Sequence, residues 1–167
     1  MAVQFYVGED FKGEVWPARK MRTGKVMHFS MNKEADITKQ FINDSLPVAI
    51  DNLSAGSHVI TMESQASYIE MKAEKFNAYL SEDGIDDIAV LRKEHNEMNK
   101  DSRELYQRCA KTILQAGNVK DTLYKMKAGF MLELIPQKNP YSLKIADDLP
   151  VLVLFNKKPL ANYKVGV

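Results

Sequence analysis

Between Val3 and Met71 the apolar positions recur mostly every second residue, and beyond that they do not. Val3, Phe5 and Val7 alternate with Gln4 and Tyr6, the period expected of a half-buried strand. Gly8, Glu9, Asp10 and Gly13 then supply turn residues. Residues 25–31 place Met27, Phe29 and Met31 on one strand face and Val26, His28 and Ser30 on the other. The methionine face is the expected core face, which leaves His28 on the outside. Ser54, Ala55, Gly56 and Ser57 form a turn cluster, followed by strands over 58–63 and 68–71. Turns spaced this closely predict a sandwich or barrel.

At Lys72 the period changes. Ala73, Phe76 and Leu80, with Tyr79 beside them, make a helical stripe over 72–82, and Gly84 is suited to end it. A second helix is predicted with Ile85, Ile88, Leu91, His95 and Met98 along its apolar side and Asp86 and Asp87 in its first turn. Residues 103–116 are ambiguous. Leu105, Cys109 and Ile113 recur every fourth residue, as in a helix, while a strand would align Tyr106, Ala110, Thr112 and Leu114 with Arg108 interrupting. Strands return at 131–135, which stops at Pro136, and at 149–155, a continuous apolar run suited to a central strand. A turn at Asn156, Lys157, Lys158 and Pro159 leads into a last strand over 161–167.

Composition narrows the function classes. The chain has 167 residues, of which 45% are hydrophobic, with 23 basic against 22 acidic side chains. That length supports one core without staples, and a single cysteine forms no internal disulfide. A net charge of +1 argues against a nucleic-acid partner, and no apolar stretch is long enough to span a bilayer. The first residues lack the basic and apolar regions of a secretory leader. Either the chain works in the cytosol or a leader has been removed.

Candidate chemistry is sparse. His28, His58 and His95 share no metal-binding spacing, but His28 and His58 from neighbouring strands, joined by Glu63 or a methionine, make a metal-ligand set of the usual donor types. His95 reads as packing on a helix edge. Cys109 is flanked by Arg108 and Lys111, whose charge would lower a thiol pKa, yet no base accompanies it. GxSxG, GxxxxGK and GxGxxG are absent. The acids Glu82, Asp83, Asp86 and Asp87 lack a calcium-loop order. Among Phe5, Tyr6, Phe11, Trp16 and Phe29, alternation leaves Tyr6 and Trp16 for the surface. No nucleophile–base set can be assembled, so no enzyme is expected.

Several segments together carry a resemblance: GEDFKGE (8–14), AGSHVI (55–60), KFNAYLSEDGI (75–85), RELYQRCAKTILQAG (103–117), LELIPQKNPYSL (132–143) and LPVLVLFNKKPLANYKV (149–165). Their order and spacing resemble a bacterial exported family of unassigned domain type. That family is described as the NikM subunit of a nickel-transport complex, or as the periplasmic component of a cobalt-type ABC transport system. The resemblance covers nearly the whole chain. It implies a mainly β, immunoglobulin-like β-sandwich with a two-helix insertion at about 72–100, exported and periplasmic after loss of a signal peptide. Residues 103–116 then form a strand.

With that strand, Arg108 and Lys111 fall on opposite faces, and one of them needs a buried carboxylate partner such as Glu104 or Glu133. Arg103, Glu104, Tyr106, Arg108, Lys111 and Glu133 make up the implied polar network. Family members typically open with a histidine and an aromatic residue after leader cleavage, a segment missing here, and they continue into a second β domain. The chain thus reads as a single domain over 1–167, the N-terminal part of a longer exported protein. The expected function is non-catalytic: an accessory or binding component for nickel or cobalt uptake, with a transport permease or envelope protein as partner. The alternative is an interaction module that binds carbohydrate, an envelope component or a protein.

Overall fold

The computed structural model describes residues 2–9, 12–16, 22–42, 47–51 and 53–161. The elements in chain order are β1 (Ala2–Val3), β2 (Tyr6–Glu9), β3 (Lys12–Val15), β4 (Thr23–Ser30), β5 (Lys33–Asp36), α1 (Thr38–Ile42), β6 (Val48–Ala49), β7 (Gly56–Ser64) and β8 (Ser67–Met71). There follow α2 (Ala73–Glu82), α3 (Asp86–Glu94), β9 (Ser102–Tyr106), β10 (Cys109–Ala116), β11 (Leu132–Pro136), β12 (Val151–Phe155) and β13 (Lys158–Pro159). The chain is mainly β, with several sheets and three helices. It divides into two compact units, one formed by residues 1–65 and 108–167 and the other by 66–107.

The first unit is organised by a four-stranded antiparallel sheet in the order β10-β7-β4-β5. Its β7 carries the β-branched run Val59, Ile60 and Thr61, residues that suit a pleated, crowded strand. Eight of its nine residues are buried, so both faces of the strand are covered. One face packs Val26, Ile60 and Met62 into a cluster with Trp16, Ile37, Phe41, Val48 and Ile50. On the other face Met27, Val59 and Thr61 are buried as well.

Three expectations need correction here. The core cluster is on the Val26–His28 face, so His28 points toward it rather than outward. Met31 is 53% exposed instead of filling the core, and Trp16, expected at the surface, is buried against Phe5. For His28 the reason is that β4 is a central strand: both of its faces have cover, and a period-2 pattern cannot then tell inside from outside. The strand expected over 3–7 is broken at Gln4–Phe5, where Phe5 stacks on Phe41. Asp10 and Phe11, and all but Ala161 of the expected last strand, are outside the described residues.

The two-stranded pairs β1-β6 and β2-β3 and a three-stranded sheet, β11-β12-β13, complete this unit. Glu133, Ile135 and Leu154 line the buried face of the three-stranded sheet, whereas Leu132, Leu134, Val151 and Phe155 on the other face are exposed. The apolar run over 149–155 is therefore a strand covered on one side only.

In the second unit β8 pairs with β9 around the helical pair. Phe76 and Leu80 are buried, as the stripe predicts. Gly84 takes φ +65°, a left-handed conformation that ends α2 without a Cβ clash. Asp101 accepts from the Ala73 N–H at 3.0 Å and pairs with Lys72 at 2.7 Å, capping the start of α2 from a distant loop.

The second helix departs from its predicted apolar side. Ile88, Leu91 and Met98 are substantially exposed and so is His95, while the buried residue of α3 is Arg92. The Arg92 stem packs inward, and its guanidinium donates to Asn77 Oδ1 at 3.0 Å and to the Glu97 and Lys100 carbonyls at 2.8 and 2.7 Å. It also stands 4.8 Å above the Phe76 ring. Arg92 thus ties the loop after α3 back onto both helices. Replacing it with alanine orphans these partners and should cost about 2–4 kcal/mol. Chemical denaturation followed by helical circular dichroism measures this; a change below about 0.5 kcal/mol would contradict the role.

Candidate functional site

The register of β4 on β7 sets Ser30 opposite His58 and Ile60 opposite His28, so the two histidines are diagonal neighbours on one face. His28 Nε2 and His58 Nδ1 are 2.9 Å apart, and His58 Nε2 is 2.9 Å from the Ser54 carbonyl. A carbonyl can only accept, so His58 Nε2 carries a proton, and in that neutral tautomer its Nδ1 accepts from His28 Nε2. His58 is 1% exposed. Burial, then the neighbouring His58 and Lys33, push the His28 pKa below its ordinary value.

Glu63, the third expected metal ligand, is not brought to this pair. It is five residues along β7 from His58, hence on the opposite face, and it lies across from Lys25 and Cys109. Among the described residues no group of three or more histidine, cysteine, aspartate or glutamate side chains is placed to hold a metal ion. Cys109 does not become a thiolate nucleophile either. Partial desolvation and the Glu63 charge push its pKa up, and Lys111 is turned elsewhere.

The residues of the expected polar network divide between the two units. Arg103, Glu104 and Tyr106 lie on β9, opposite Glu70, Ile69 and Ser67. Arg108, Lys111 and Glu133 lie in the first unit. Arg108 is exposed, and its backbone bonds Ser64. Lys111 is the inward cation. It is opposite Thr61 on β7, and its Nζ meets Glu133 Oε1 at 2.7 Å, with side chains only 10% and 3% exposed. Glu133 also accepts from the Ala128 and Gly129 N–H groups at 2.6 and 3.0 Å, and Lys111 donates to the Met126 carbonyl at 3.1 Å. Burial alone would raise the Glu133 pKa; Lys111 and the two N–H donors outweigh it and hold the carboxyl below its usual value.

A cleft of about 430 Å³ opens at the far end of β10. Gln115, Asn118, Lys120, Asn139, Tyr141 and Ser142 line it, together with Gly117 and Val119. Its walls are pinned by polar contacts. Gln115 Nε2 donates to the Val119 carbonyl at 2.8 Å, and Gln115 Oε1 accepts from Ser57 and Asn139 at 3.3 and 3.4 Å. Tyr141 donates its hydroxyl to the Ile113 carbonyl at 3.1 Å, and its backbone N–H is capped by Asn139 Oδ1 at 2.9 Å.

Asp121 anchors the loop that floors the cleft. It accepts from the Ser57 N–H at 2.5 Å and the Leu123 N–H at 3.0 Å. Burial would raise its pKa, but these bonds and nearby His58 hold it below the usual carboxylate range. The approach requires Gly56: at φ +126° a Cβ would come within 2.9 Å of Asp121 Oδ2. None of this was visible as a site in the sequence, where residues 117–120 and 139–142 carry no recognised motif.

The model of the family described as "Domain of unknown function (DUF4198)" matches residues 1–167, and the chain belongs to that family. No curated protein matches. No solved structure matches either.

Two outcomes follow from the buried ionisable groups. Removing one partner of the Lys111–Glu133 pair, as in Glu133→Ala, should cost about 3–5 kcal/mol because a buried ammonium is left alone. The double variant Lys111→Met/Glu133→Leu should recover part of it, and equal loss in single and double variants would contradict the pairing. The pH dependence has a definite sign. His28 titrates lower when folded, so the unfolded chain binds more protons and stability falls as pH drops below 6.5. Glu133, also lowered, adds a second loss only below 4.5. A His28→Asn variant should flatten thermal stability between about pH 7.5 and 5.5 and leave the acid limb; an unchanged upper limb would contradict this assignment.

Proposed function

We propose that this member of the family is a non-catalytic binding component of an exported, periplasmic protein, an immunoglobulin-like sandwich whose ligand seat is the cleft between β10 and residues 139–142. The cleft itself is the observation that carries the reading. It has the size of a small-molecule site, and its lining is fixed before any ligand arrives. Gln115, Asn139 and Tyr141 are each held by hydrogen bonds, so little ordering entropy is spent on binding. Among the described residues no helix is long and apolar enough to cross a membrane.

A specific contact supports a second reading, accessory handling of nickel or cobalt ions for a transport permease. The His28 and His58 nitrogens are 2.9 Å apart, close to the separation of two donors sharing one ion. Ser54 stands behind His58 as an orienting carbonyl. To share an ion the pair would give up the proton between Nε2 and Nδ1, so binding would be weak and pH-dependent, fit for cargo rather than for a resident metal, and copper would compete for it.

One experiment separates the readings. An array of saccharides, peptides and small polar molecules is tested against the full chain and an Asn118→Trp variant, alongside nickel and cobalt titrations of the chain and of His28→Ala/His58→Ala. The cleft reading expects at least about tenfold weaker capture on the array in the tryptophan variant, with thermal stability intact. Array ligands bound equally by both proteins would contradict it. Nickel binding tighter than millimolar and lost in the histidine variant would favour ion handling instead.

A further inference from the structure

Resting on the cleft reading, we infer that the seat accepts an acidic saccharide unit, a pyranose ring bearing a carboxylate. The lining chemistry selects this class. Asn118 presents an amide with both donors and an acceptor, the pattern that reads hydroxyl groups, which themselves both give and take hydrogen bonds. Ser142 adds a hydroxyl that donates to the Asn139 carbonyl at 2.7 Å and keeps lone pairs to accept with. Tyr141 is 55% exposed while its hydroxyl is tied to Ile113, so the ring is a held wall with an open surface. The electron-rich face of such a ring favours the C–H groups of a pyranose over an anionic or strongly hydrated surface.

Lys120 decides the charge. It is the only charged side chain among the described residues lining the cleft. The neighbouring carboxylate, Asp121, is occupied by the Ser57 and Leu123 N–H groups on the side of β7. Lys120 is exposed at a cleft otherwise lined by amides and hydroxyls, and its flexible four-carbon stem lets the ammonium meet a ligand carboxylate there in a charge-assisted hydrogen bond. A peptide ligand fits less well, since Val119 is the only aliphatic side chain among the described lining residues and side-chain anchors would have no pocket.

Calorimetric titration of the full chain with a trimer of galacturonic acid and with the uncharged galactose trimer tests the assignment. The acidic trimer should bind at least about tenfold tighter than the neutral one. Lys120→Gln should remove that preference while leaving neutral-sugar binding in place. Tyr141→Ala should weaken both sugars, and Tyr141→Phe, which keeps the ring, should retain most of the affinity. Equal affinity for the two trimers, abolished by Tyr141→Ala, would overturn the acidic class while the cleft reading survives. If neither trimer binds but another array ligand is lost in Asn118→Trp, the saccharide class falls and the cleft still stands. If nothing bound by the chain responds to Asn118→Trp, the cleft reading fails, and this inference fails with it.

Discussion

The rest of the first unit depends on one constraint: β7 is pinned between β4 and β10 in a register that buries both of its faces. A one-residue slip would move every side chain to the opposite face. With cover on both sides, such a slip would carry His58 away from His28 and Ser57 away from Asp121, and would take Lys111 from its place opposite Thr61. The histidine pair, the aspartate anchor and the buried ion pair are therefore consequences of one alignment. They also reinforce it, because each leaves a buried polar group without its partner if the register is lost.

The polar contacts divide the labour along that strand. Toward the Cys109 end, Lys111 and Glu133 fasten the sheet to the loop before β11, where Ala128 and Gly129 turn their N–H groups onto the same carboxylate. Toward the Ala116 end, Asp121 straps the loop after β10 against Ser57, and Gln115 holds that loop at Val119. The cleft lies just beyond this second strap. Its shape is thus inherited from the sheet rather than from a free surface loop.

Much of the architecture was legible where one period dominates. The stripe of Phe76 and Leu80 marks α2, the β-branched run marks β7, and Gly84 marks a helix end. The stretch 103–116 misled because it is two strands in two different units. Alternation is even-numbered inward in β9, but in β10 Lys111 and Ile113 are the less exposed positions, with the change of phase at Gln107–Arg108. Leu105, Cys109 and Ile113 share one parity across both strands, so their recurrence every four residues imitates a helix although Leu105 and Cys109 are exposed. The core side of β4 was not readable for a related reason, since a strand covered on both faces carries no outward face to mark. In α3 the reading failed because Arg92 buries its stem and satisfies its head on carbonyls, a role that composition scales assign to the surface. The histidine pair could be suspected from neighbouring strands, but the cleft could not. Its lining comes from two segments joined by the Tyr141–Ile113 and Asn139–Gln115 hydrogen bonds, and neither segment carries a motif of its own.

Amide hydrogen exchange on the full chain, read residue by residue, tests the organising role of β7 most directly. The account predicts that Val59, Ile60, Thr61 and Met62 exchange most slowly in their unit, and that the Ser57 and Leu123 amides bound to Asp121 are protected well beyond those of the β2–β3 hairpin. Exchange of the β7 amides as fast as that hairpin's, with Ser57 and Leu123 unprotected, would contradict it.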